Sequence, residues 1–162
     1  MDVFSPEKRS QVMSRIRSKD TKPEKIIRSI LHKLGFRFRI NRKDLPGKPD
    51  IVLPKYKTVI FVHGCFWHQH EGCKKSSRPK SNVDFWDRKL SANLMRDKEV
   101  IAEYKKSDWK VLVVWQCQIR EFSKNPHSLE EKIMTLEMLW VVTLIKYPYI
   151  MVTVELLWRS SN

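Results

Sequence analysis

Apolar residues recur at helical spacing along several stretches of the chain, and a typical start signal precedes each of them. Ser and Pro open the first stretch, Thr-x-x-Glu opens the second, Ser81 or Asn82 caps the third, and Ser128 caps the last. The apolar stripe of the second stretch stops at Leu34, and Gly35 follows as a stop signal. The pattern therefore predicts helices over residues 5–18, 21–34, 82–104 and 128–140.

Other stretches have the pattern of β-strands. Residues 36–40 alternate apolar with basic side chains, which is typical of a half-buried strand. Residues 50–53 and 58–62 are apolar runs joined by a short link, which favours an antiparallel hairpin. Residues 109–115 are almost entirely apolar, so we expect a central strand that is covered on both faces. Helices around a small mixed sheet make the predicted fold class α/β.

The predicted hairpin brings together two polar residues that are distant in sequence. In an antiparallel pair, the start of the first strand lies beside the end of the second. We therefore expect Asp50 and His63 to meet at the same end of the sheet.

The chain has 162 residues, enough to bury a core without disulfides, and we expect residues 1–140 to form a single domain. Residues 141–162 form a C-terminal extension of unknown role. The extension is apolar but is interrupted by Lys146 and Pro148, so it is too broken for a membrane span. Two short strands and a hydrophobic extension are both compatible with its pattern.

Basic side chains outnumber acidic ones, with 32 Lys and Arg against 18 Asp and Glu and a formal net charge of +14. Such a field attracts a polyanion, most commonly nucleic acid. A basic solvated surface is the alternative, but a hydrophobic content of 41% excludes a disordered tail. Because basic residues are dense near the start of the chain, residues 1–20 are expected to form an N-terminal arm or helix that contacts DNA or RNA. We expect no membrane partner.

Cysteine usage indicates a reducing compartment. The chain has 3 cysteines, which cannot all pair with one another, and two of them lie among histidines. The first residues, MDVFSPEKRS, lack the apolar core of a secretory signal. We therefore expect a cytoplasmic globular domain that binds DNA or RNA.

Histidine and cysteine cluster in the sequence FVHGCFWHQHEGC at residues 61–73. One tight loop offers three metal ligands here, and a fourth follows the 109–115 strand. Three thiolates and one imidazole are a common closed set for structural Zn²⁺. His68 is an alternative nitrogen ligand, and two buried cysteines beside a surface histidine are the alternative without metal. The predicted zinc ligands are Cys65, His70, Cys73 and Cys117.

Asp50 is expected at the hairpin mouth, beside His63 and near His68, where it can hold a hard cation and help activate water. Mg²⁺ prefers carboxylate and carbonyl oxygens, and such an ion polarises a scissile phosphate. A neutral histidine is a suitable general base at cellular pH. Taken alone, Pro-Asp at a strand start is often only a turn, and a lone histidine is more often structural than catalytic.

Several motifs resemble those of the very short patch repair (Vsr) endonucleases. The motifs are LPGKPDIV at 45–52, VIFVHGCFWHQH at 59–70, FW at 85–86, KLSANLMRD at 89–97 and WKVLVVWQC at 109–117, together with TKPE at 21–24. The resemblance covers roughly residues 8–140. It implies a restriction-endonuclease-like α/β core with bound zinc, so that residues 1–140 form one nuclease domain.

The resemblance also implies catalytic roles. Asp50 matches the metal-binding aspartate, and Val62 falls where a backbone carbonyl completes the Mg²⁺ site. His63 and His68 match the two active-site histidines, with His68 as the expected base.

Two acidic residues match positions that support the active site. Glu24 is one of them, although Thr21-x-x-Glu24 is also a capping box. Asp97 is the other, and a solvated helix charge is its structural alternative.

The remaining matches concern zinc and DNA. Apolar wedges that open a base stack cost a few kcal/mol per step, and Phe66 and Trp67 directly follow a zinc ligand that would hold them rigid. Trp86 and Met13 match other intercalating positions, with helix packing as the alternative for both. Lys89 and Asn93 match mismatch-reading residues, and they share one predicted helix face with Trp86 and Asp97. The family zinc set matches Cys65, His70, Cys73 and Cys117.

Together with these residues, the resemblance implies a Mg²⁺-dependent, zinc-stabilised DNA mismatch endonuclease that nicks one strand 5′ of the T in a T:G mismatch. Such mismatches arise by deamination of 5-methylcytosine, so the resemblance implies a functional link to a DNA cytosine methyltransferase. We expect a monomer that acts on double-stranded DNA. The alternatives are a restriction-type nuclease that cuts matched DNA and a zinc-bearing, non-catalytic DNA-binding module.

Overall fold

The computed structural model describes Gln11 and residues 19–146, with the backbone alone for residues 137–146. Gln11 is helical, but the rest of the helix expected over residues 5–18, including Met13, lies outside the described residues. The same holds for residues 147–162.

Three strands and four helices make up the described part of the chain. Strands β1 and β2 are antiparallel, β2 and β3 are parallel, and the sheet order is β1-β2-β3. Helices flank this small mixed sheet, which confirms the predicted α/β class. The elements are α1 (Lys22–Lys33), β1 (Ile51–Leu53), β2 (Thr58–His63), α2 (Val83–Tyr104), β3 (Lys110–Trp115), α3 (Ile119–Lys124) and α4 (His127–Lys146).

Helix α1 begins and packs as the sequence predicts. Thr21 is its N-cap, and its side chain and that of Glu24 form a reciprocal capping box. The apolar stripe is buried at Ile27, Ile30 and Leu31, where it packs in a core with β1, α3 and α4.

The hairpin is also confirmed. Ile51 pairs with Ile60 and Leu53 pairs with Thr58. A 3₁₀ turn over Pro54–Tyr56 links the strands, and Lys57 closes it with a left-handed φ of 43°.

Strand β3 lies at the edge of the described sheet, so its prediction as a central strand is wrong. The central strand is β2. Val114 of β3 packs against the core formed with α1, α3 and α4, whereas Val111 packs against Tyr104 and Trp109 on the other face. An apolar run therefore indicates that both faces of a strand are packed against other elements, but it does not indicate where the strand lies within the sheet.

Two other element predictions are also corrected. Residues 36–40 form only one bridge, from Arg39 to Val52, because β1 is three residues long and offers little outer edge for pairing. Helix α4 continues to Lys146, so strands are excluded for residues 141–146. No Gly or Pro interrupts α4, and Pro148 is the first helix breaker that follows it.

Packing on α2 fixes the loop that leads into Asp50. The Tyr104 hydroxyl donates a hydrogen bond to the Pro46 carbonyl oxygen at 2.8 Å. Gly47 has a φ of +66°, and a Cβ atom there would lie 2.6 Å from a methyl carbon of Val100. Any other residue would strain this backbone conformation and displace the Val100 side chain, so the position favours glycine.

No helix within the described residues combines the length and apolar character needed to cross a membrane.

Candidate active site and metal cluster

Asp50 lies at the mouth of the hairpin, where β2 ends. The Val62 amide donates a hydrogen bond of 2.7 Å to Asp50 Oδ2, which confirms that the first residue of the hairpin meets the far end of β2. Burial raises the pKa of Asp50 to about 6, although the Val62 amide opposes this change. Ionising Asp50 is therefore costly unless a cation lies beside it.

Beyond Asp50, two histidines and an aspartate form a contiguous group. The His63 and His68 rings stack with centroids 3.8 Å apart and an angle of 11° between their planes. His68 Nδ1 lies 2.6 Å from Asp97 Oδ2, and His63 Nδ1 lies 4.0 Å from the same oxygen. Because Asp97 occupies Nδ1 of His68, the other ring nitrogen, Nε2, remains available to accept a proton.

Burial lowers the pKa of His63 to about 4, and the neighbouring His68 adds to this effect while Asp97 opposes it. His63 is therefore neutral at cellular pH. It is held in place by ring contacts with Trp115 at 5.4 Å and Phe61 at 6.0 Å.

Glu24 is 5% exposed, and several hydrogen-bond donors surround its carboxylate. It accepts hydrogen bonds from the backbone amides of Asp20 and Thr21 and from the Thr21 hydroxyl. Arg28 adds an ion pair at 2.8 Å. The capping role of Glu24 is thus confirmed, and its carboxylate also contributes to the raised pKa of Asp50.

Sequence reasoning missed Arg28. It bridges Glu24 and Asp20, with a distance of 2.5 Å to Asp20 Oδ1, and its charge opposes the rise in the pKa of Asp50. Its Nε atom is buried without a hydrogen-bond partner in the structure. The available signal was the i,i+4 spacing of Glu24 and Arg28 on one helix face.

A cleft of about 870 Å³ unites the predicted catalytic residues. Basic residues from several elements, among them Lys43, Lys48 and Lys89, line its walls. The cleft therefore combines carboxylates, imidazoles and a cationic rim, which suits a phosphodiester substrate. The predicted catalytic residues in its lining are Glu24, Asp50, His63, His68 and Asp97.

The four predicted zinc ligands also meet. One ligand atom from each of Cys65, His70, Cys73 and Cys117 lies within 4.8 Å of the others. His70 Nδ1 lies 3.7 Å from Cys65 Sγ and 3.3 Å from Cys117 Sγ. Tetrahedral zinc with bonds of about 2.0–2.3 Å places neighbouring ligand atoms roughly 3.5–3.8 Å apart. The set therefore fits a closed zinc site, and it is His70 that joins the thiols, since His68 pairs with Asp97.

The pKa values of two of these thiols show how metal binding would change their protonation. Burial raises the pKa of Cys65 to about 11, whereas the Lys75 amide lowers the pKa of Cys73. Cys65 would therefore be a thiol at neutral pH without a cation, and metal binding would release its proton.

The loop between β2 and α2 is fixed by its own hydrogen bonds and by α2. The Gln69 side chain donates to the Phe66 and Ser76 carbonyl oxygens. The Ser76 hydroxyl lies 2.8 Å from the His70 carbonyl oxygen. Asn93 Nδ2 donates to the Trp67 carbonyl oxygen at 3.0 Å, so α2 holds the aromatic end of the loop directly.

Four aromatic rings form a connected group near the cleft. Phe66 and Trp67 are half-buried, with ring centroids 5.2 Å apart, and both contact Trp86. Trp86 is 6% exposed, whereas Phe85 is 46% exposed. The buried Trp86 therefore packs against both rings of the Phe66-Trp67 pair.

The predicted DNA-reading residues of α2 differ in exposure. Lys89 is exposed and lines the cleft. Asn93 is 9% exposed, its Nδ2 already donates to the loop, and its Oδ1 accepts a hydrogen bond of 3.4 Å from Arg96. The two residues therefore share a helix face but not a local environment.

Comparison with known proteins shows similarity over most of the chain. A family described as DNA mismatch endonuclease Vsr matches residues 1–75. The chain is 52% identical over 120 residues to the type II nicking enzyme V.XorIIP of Xanthomonas oryzae pv. oryzae, which covers 74% of this chain and 88% of that protein. It is 40% identical over 133 residues to the DNA mismatch endonuclease Vsr of Escherichia coli, covering 82% of this chain and 85% of that protein.

Proposed function

The chain belongs to the Vsr family of DNA mismatch endonucleases, and we propose that it nicks one DNA strand on the 5′ side of the T in a T:G mismatch. The observation that carries this proposal is that Asp50, His68 and Asp97 line one basic cleft, with His68 and Asp97 in direct contact. A carboxylate can hold a metal ion that polarises the phosphate, and an oriented imidazole can accept a proton from the attacking water, which are two contributions to phosphodiester hydrolysis.

Asp50 and the Val62 carbonyl would hold Mg²⁺. In a strand, the N–H and C=O of one residue point to the same side, and the Val62 N–H points at Asp50. Its carbonyl therefore faces the same carboxylate, and two oxygen ligands converge, as Mg²⁺ prefers. When bound, the ion would polarise the scissile phosphate and stabilise the charge that develops on its oxygens.

His68 is the proposed general base. Asp97 receives the Nδ1–H of His68, fixes the tautomer and stabilises the imidazolium that forms. Nε2 then accepts a proton from the attacking water, and the stacked, neutral His63 restricts rotation of the His68 ring.

The Phe66-Trp67 pair is the proposed wedge at the mismatch. Its two rings rest on the buried Trp86, and Asn93 fixes the Trp67 backbone. Lys89 would read exposed base edges from the cleft wall, while Asn93 would do so through its oxygen. Met13 would intercalate from the N-terminal arm.

Zn²⁺ bound by Cys65, His70, Cys73 and Cys117 would hold the wedge loop against the sheet. We further propose that the core is restriction-endonuclease-like and that residues 1–140 form one nuclease domain. In this arrangement residues 1–20 would be a DNA-contacting arm, and residues 141–162 would be an extension. The enzyme would act as a monomer at the nucleoid, in functional association with a cytosine methyltransferase.

End-labelled duplexes that carry T:G or C:G pairs in several cytosine-methylation contexts test the proposed reaction. We expect one nick 5′ of the mismatched T with Mg²⁺ and none with EDTA. Cleavage of both strands of matched duplexes would instead identify a restriction-type nuclease. Tight mismatch binding without any nick would identify a binding module.

A further inference from the structure

The loop that leads into Asp50 carries a basic residue to which the proposed function gives no individual role. Lys48 lies two residues before Asp50, is exposed and lines the cleft. We propose that Lys48 is a further catalytic residue, whose ammonium group binds a non-bridging oxygen of the scissile phosphate and stabilises the negative charge that develops there during nicking.

The backbone at Lys48 has an uncommon conformation. Pro46 and Gly47 form a turn that is closed by a hydrogen bond of 3.3 Å from the Lys48 amide to the Leu45 carbonyl oxygen. A Pro-Gly turn needs a positive φ only at the glycine, and Gly47 has a φ of +66°. Lys48 nevertheless has a φ of 52°, which is costly for a residue that carries a Cβ atom. Backbone strain of this kind is concentrated at functional sites, where the surrounding structure enforces it.

Helix α2 enforces the conformation of this segment. The Tyr104 hydroxyl donates its hydrogen bond to the Pro46 carbonyl oxygen, and the Val100 side chain lies against Gly47. Two contacts from one long helix therefore fix the turn directly before Lys48, while the Lys48 side chain itself remains exposed in the cleft.

The Lys48 ammonium group has no hydrogen-bond or ion-pair partner within the described residues. Lys57 differs in this respect, although its φ of 43° is also left-handed, because it pairs with Asp108 at 3.0 Å outside the cleft. An unpaired ammonium group in a cleft that also contains Glu24 and Asp50 is available to an anionic ligand.

The position of Lys48 in the chain favours the scissile phosphate over more distant phosphates. Two residues of extended chain span at most about 7 Å, so the flexible four-carbon side chain of Lys48 can reach a phosphate that is held beside Asp50. This role of Lys48 rests on the proposed function, in which the scissile phosphate is bound at Asp50. A positive charge placed where negative charge develops stabilises the transition state more than the bound substrate.

The test measures the rate of nicking and the affinity for DNA separately, with the full chain. Lys48→Gln removes the charge and keeps most of the side-chain length. At saturating enzyme and Mg²⁺, we expect single-turnover nicking of a T:G duplex to fall on the order of 100-fold. The dissociation constant of the same duplex in EDTA should rise by no more than about threefold, because one phosphate contact among many is lost. Lys48→Arg, which keeps a positive donor for a phosphate oxygen, should recover most of the rate.

Lys57→Gln is the matched control, because it removes a lysine charge from another left-handed position that lies outside the cleft. It is expected to nick at the wild-type rate. Urea unfolding of each variant shows whether a lower rate reflects loss of fold. Lys48→Gly, which relieves the positive φ, should unfold at a higher urea concentration than wild-type protein and yet nick as slowly as Lys48→Gln.

A rate and a dissociation constant that change by the same factor in Lys48→Gln would overturn the catalytic role, since Lys48 would then contribute to binding alone. Equal nicking by wild-type protein and Lys48→Gln would also overturn that role and would leave the proposed function intact. Wild-type protein that nicks no T:G duplex would overturn both.

Discussion

Substitution of Asp97 should lower the rate of nicking without changing the affinity for DNA. It contacts His68 at 2.6 Å on the cleft wall, so Asp97→Asn removes the charge that stabilises an imidazolium and leaves the side-chain volume unchanged. We expect single-turnover nicking of a T:G duplex to fall on the order of 100-fold with unchanged duplex affinity. Asp84→Asn, an exposed aspartate in the first turn of the same helix, is the control. Equal nicking by both variants would contradict the role of Asp97.

The raised pKa of Asp50 predicts that the stability of Mg²⁺-free, zinc-loaded protein depends on pH. Its folded pKa of about 6 lies above the ordinary value of 3.8 because of burial, so the folded state binds this proton more tightly than the unfolded state. The stabilisation from this proton is complete below about pH 4 and is lost as pH rises through 6.

Asp50→Asn cannot ionise and should be more stable than wild-type protein at pH 8 by about 2 kcal/mol, with little difference at pH 4. Urea unfolding at the two pH values measures this. Addition of Mg²⁺ should stabilise only the wild-type protein. An unchanged difference between pH 4 and pH 8 would show that burial does not perturb Asp50.

Sequence alone predicted which candidate ligand and base side chains lie together, because such residue types cluster within residues 61–73 and at the hairpin mouth. It could not identify Arg28, whose importance arises from burial beside Glu24. It also could not distinguish His68 from His70, since only the folded loop shows which ring faces the thiols. The role of Asn93 in holding the loop likewise required the structure, which shows its hydrogen bond to the Trp67 backbone.

At the scale of elements, the loop between β2 and α2 depends on its link to the end of β3. Cys117 is the predicted zinc ligand that makes this link, because the other three predicted ligands lie in the loop itself. Cys117→Ser is expected to lose most bound zinc, to lower the thermal midpoint and to reduce mismatch nicking. Elemental analysis and calorimetry measure the first two effects. A variant that retains full zinc and an unchanged midpoint would refute a four-ligand site.

The start of α1 depends on a buried ion pair. Glu24 and Arg28 have side chains that are 7% and 15% exposed, so Arg28→Ala leaves a buried carboxylate with weaker compensation. We expect a loss of about 2–4 kcal/mol in the free energy of unfolding. Lys25→Ala, which truncates an exposed cation on the same helix, should change stability by less than about 0.5 kcal/mol. Urea unfolding distinguishes the two, and equal effects would contradict the role of Arg28.

Local signals predicted α1 and the hairpin well because each is specified by neighbouring residues: a capping box for α1 and a short turn for the hairpin. They failed for residues 36–40 and for the position of β3. Both depend on which strands lie alongside, and a partner distant in sequence leaves no trace in local periodicity.

At the scale of the whole molecule, the sheet places two independent sites on one side of the fold. β2 ends at His63, after which the chain enters the loop that carries His68 and three of the four predicted zinc ligands. α2 supplies Asp97 to the first site and holds the loop through Asn93. The chain carries a net charge of +14, and basic residues such as Lys43, Lys48 and Lys89 line the cleft, which favours a polyanionic substrate.

The most direct test of the account compares wild-type protein with Asp50→Ala on one end-labelled T:G duplex in Mg²⁺, with duplex affinity measured in parallel. The account predicts a single nick 5′ of the T by wild-type protein. It predicts no detectable nick by the variant, which should retain duplex binding because the wedge and the basic rim are intact. Nicking by Asp50→Ala at the wild-type rate would contradict the placement of the catalytic metal at the hairpin mouth.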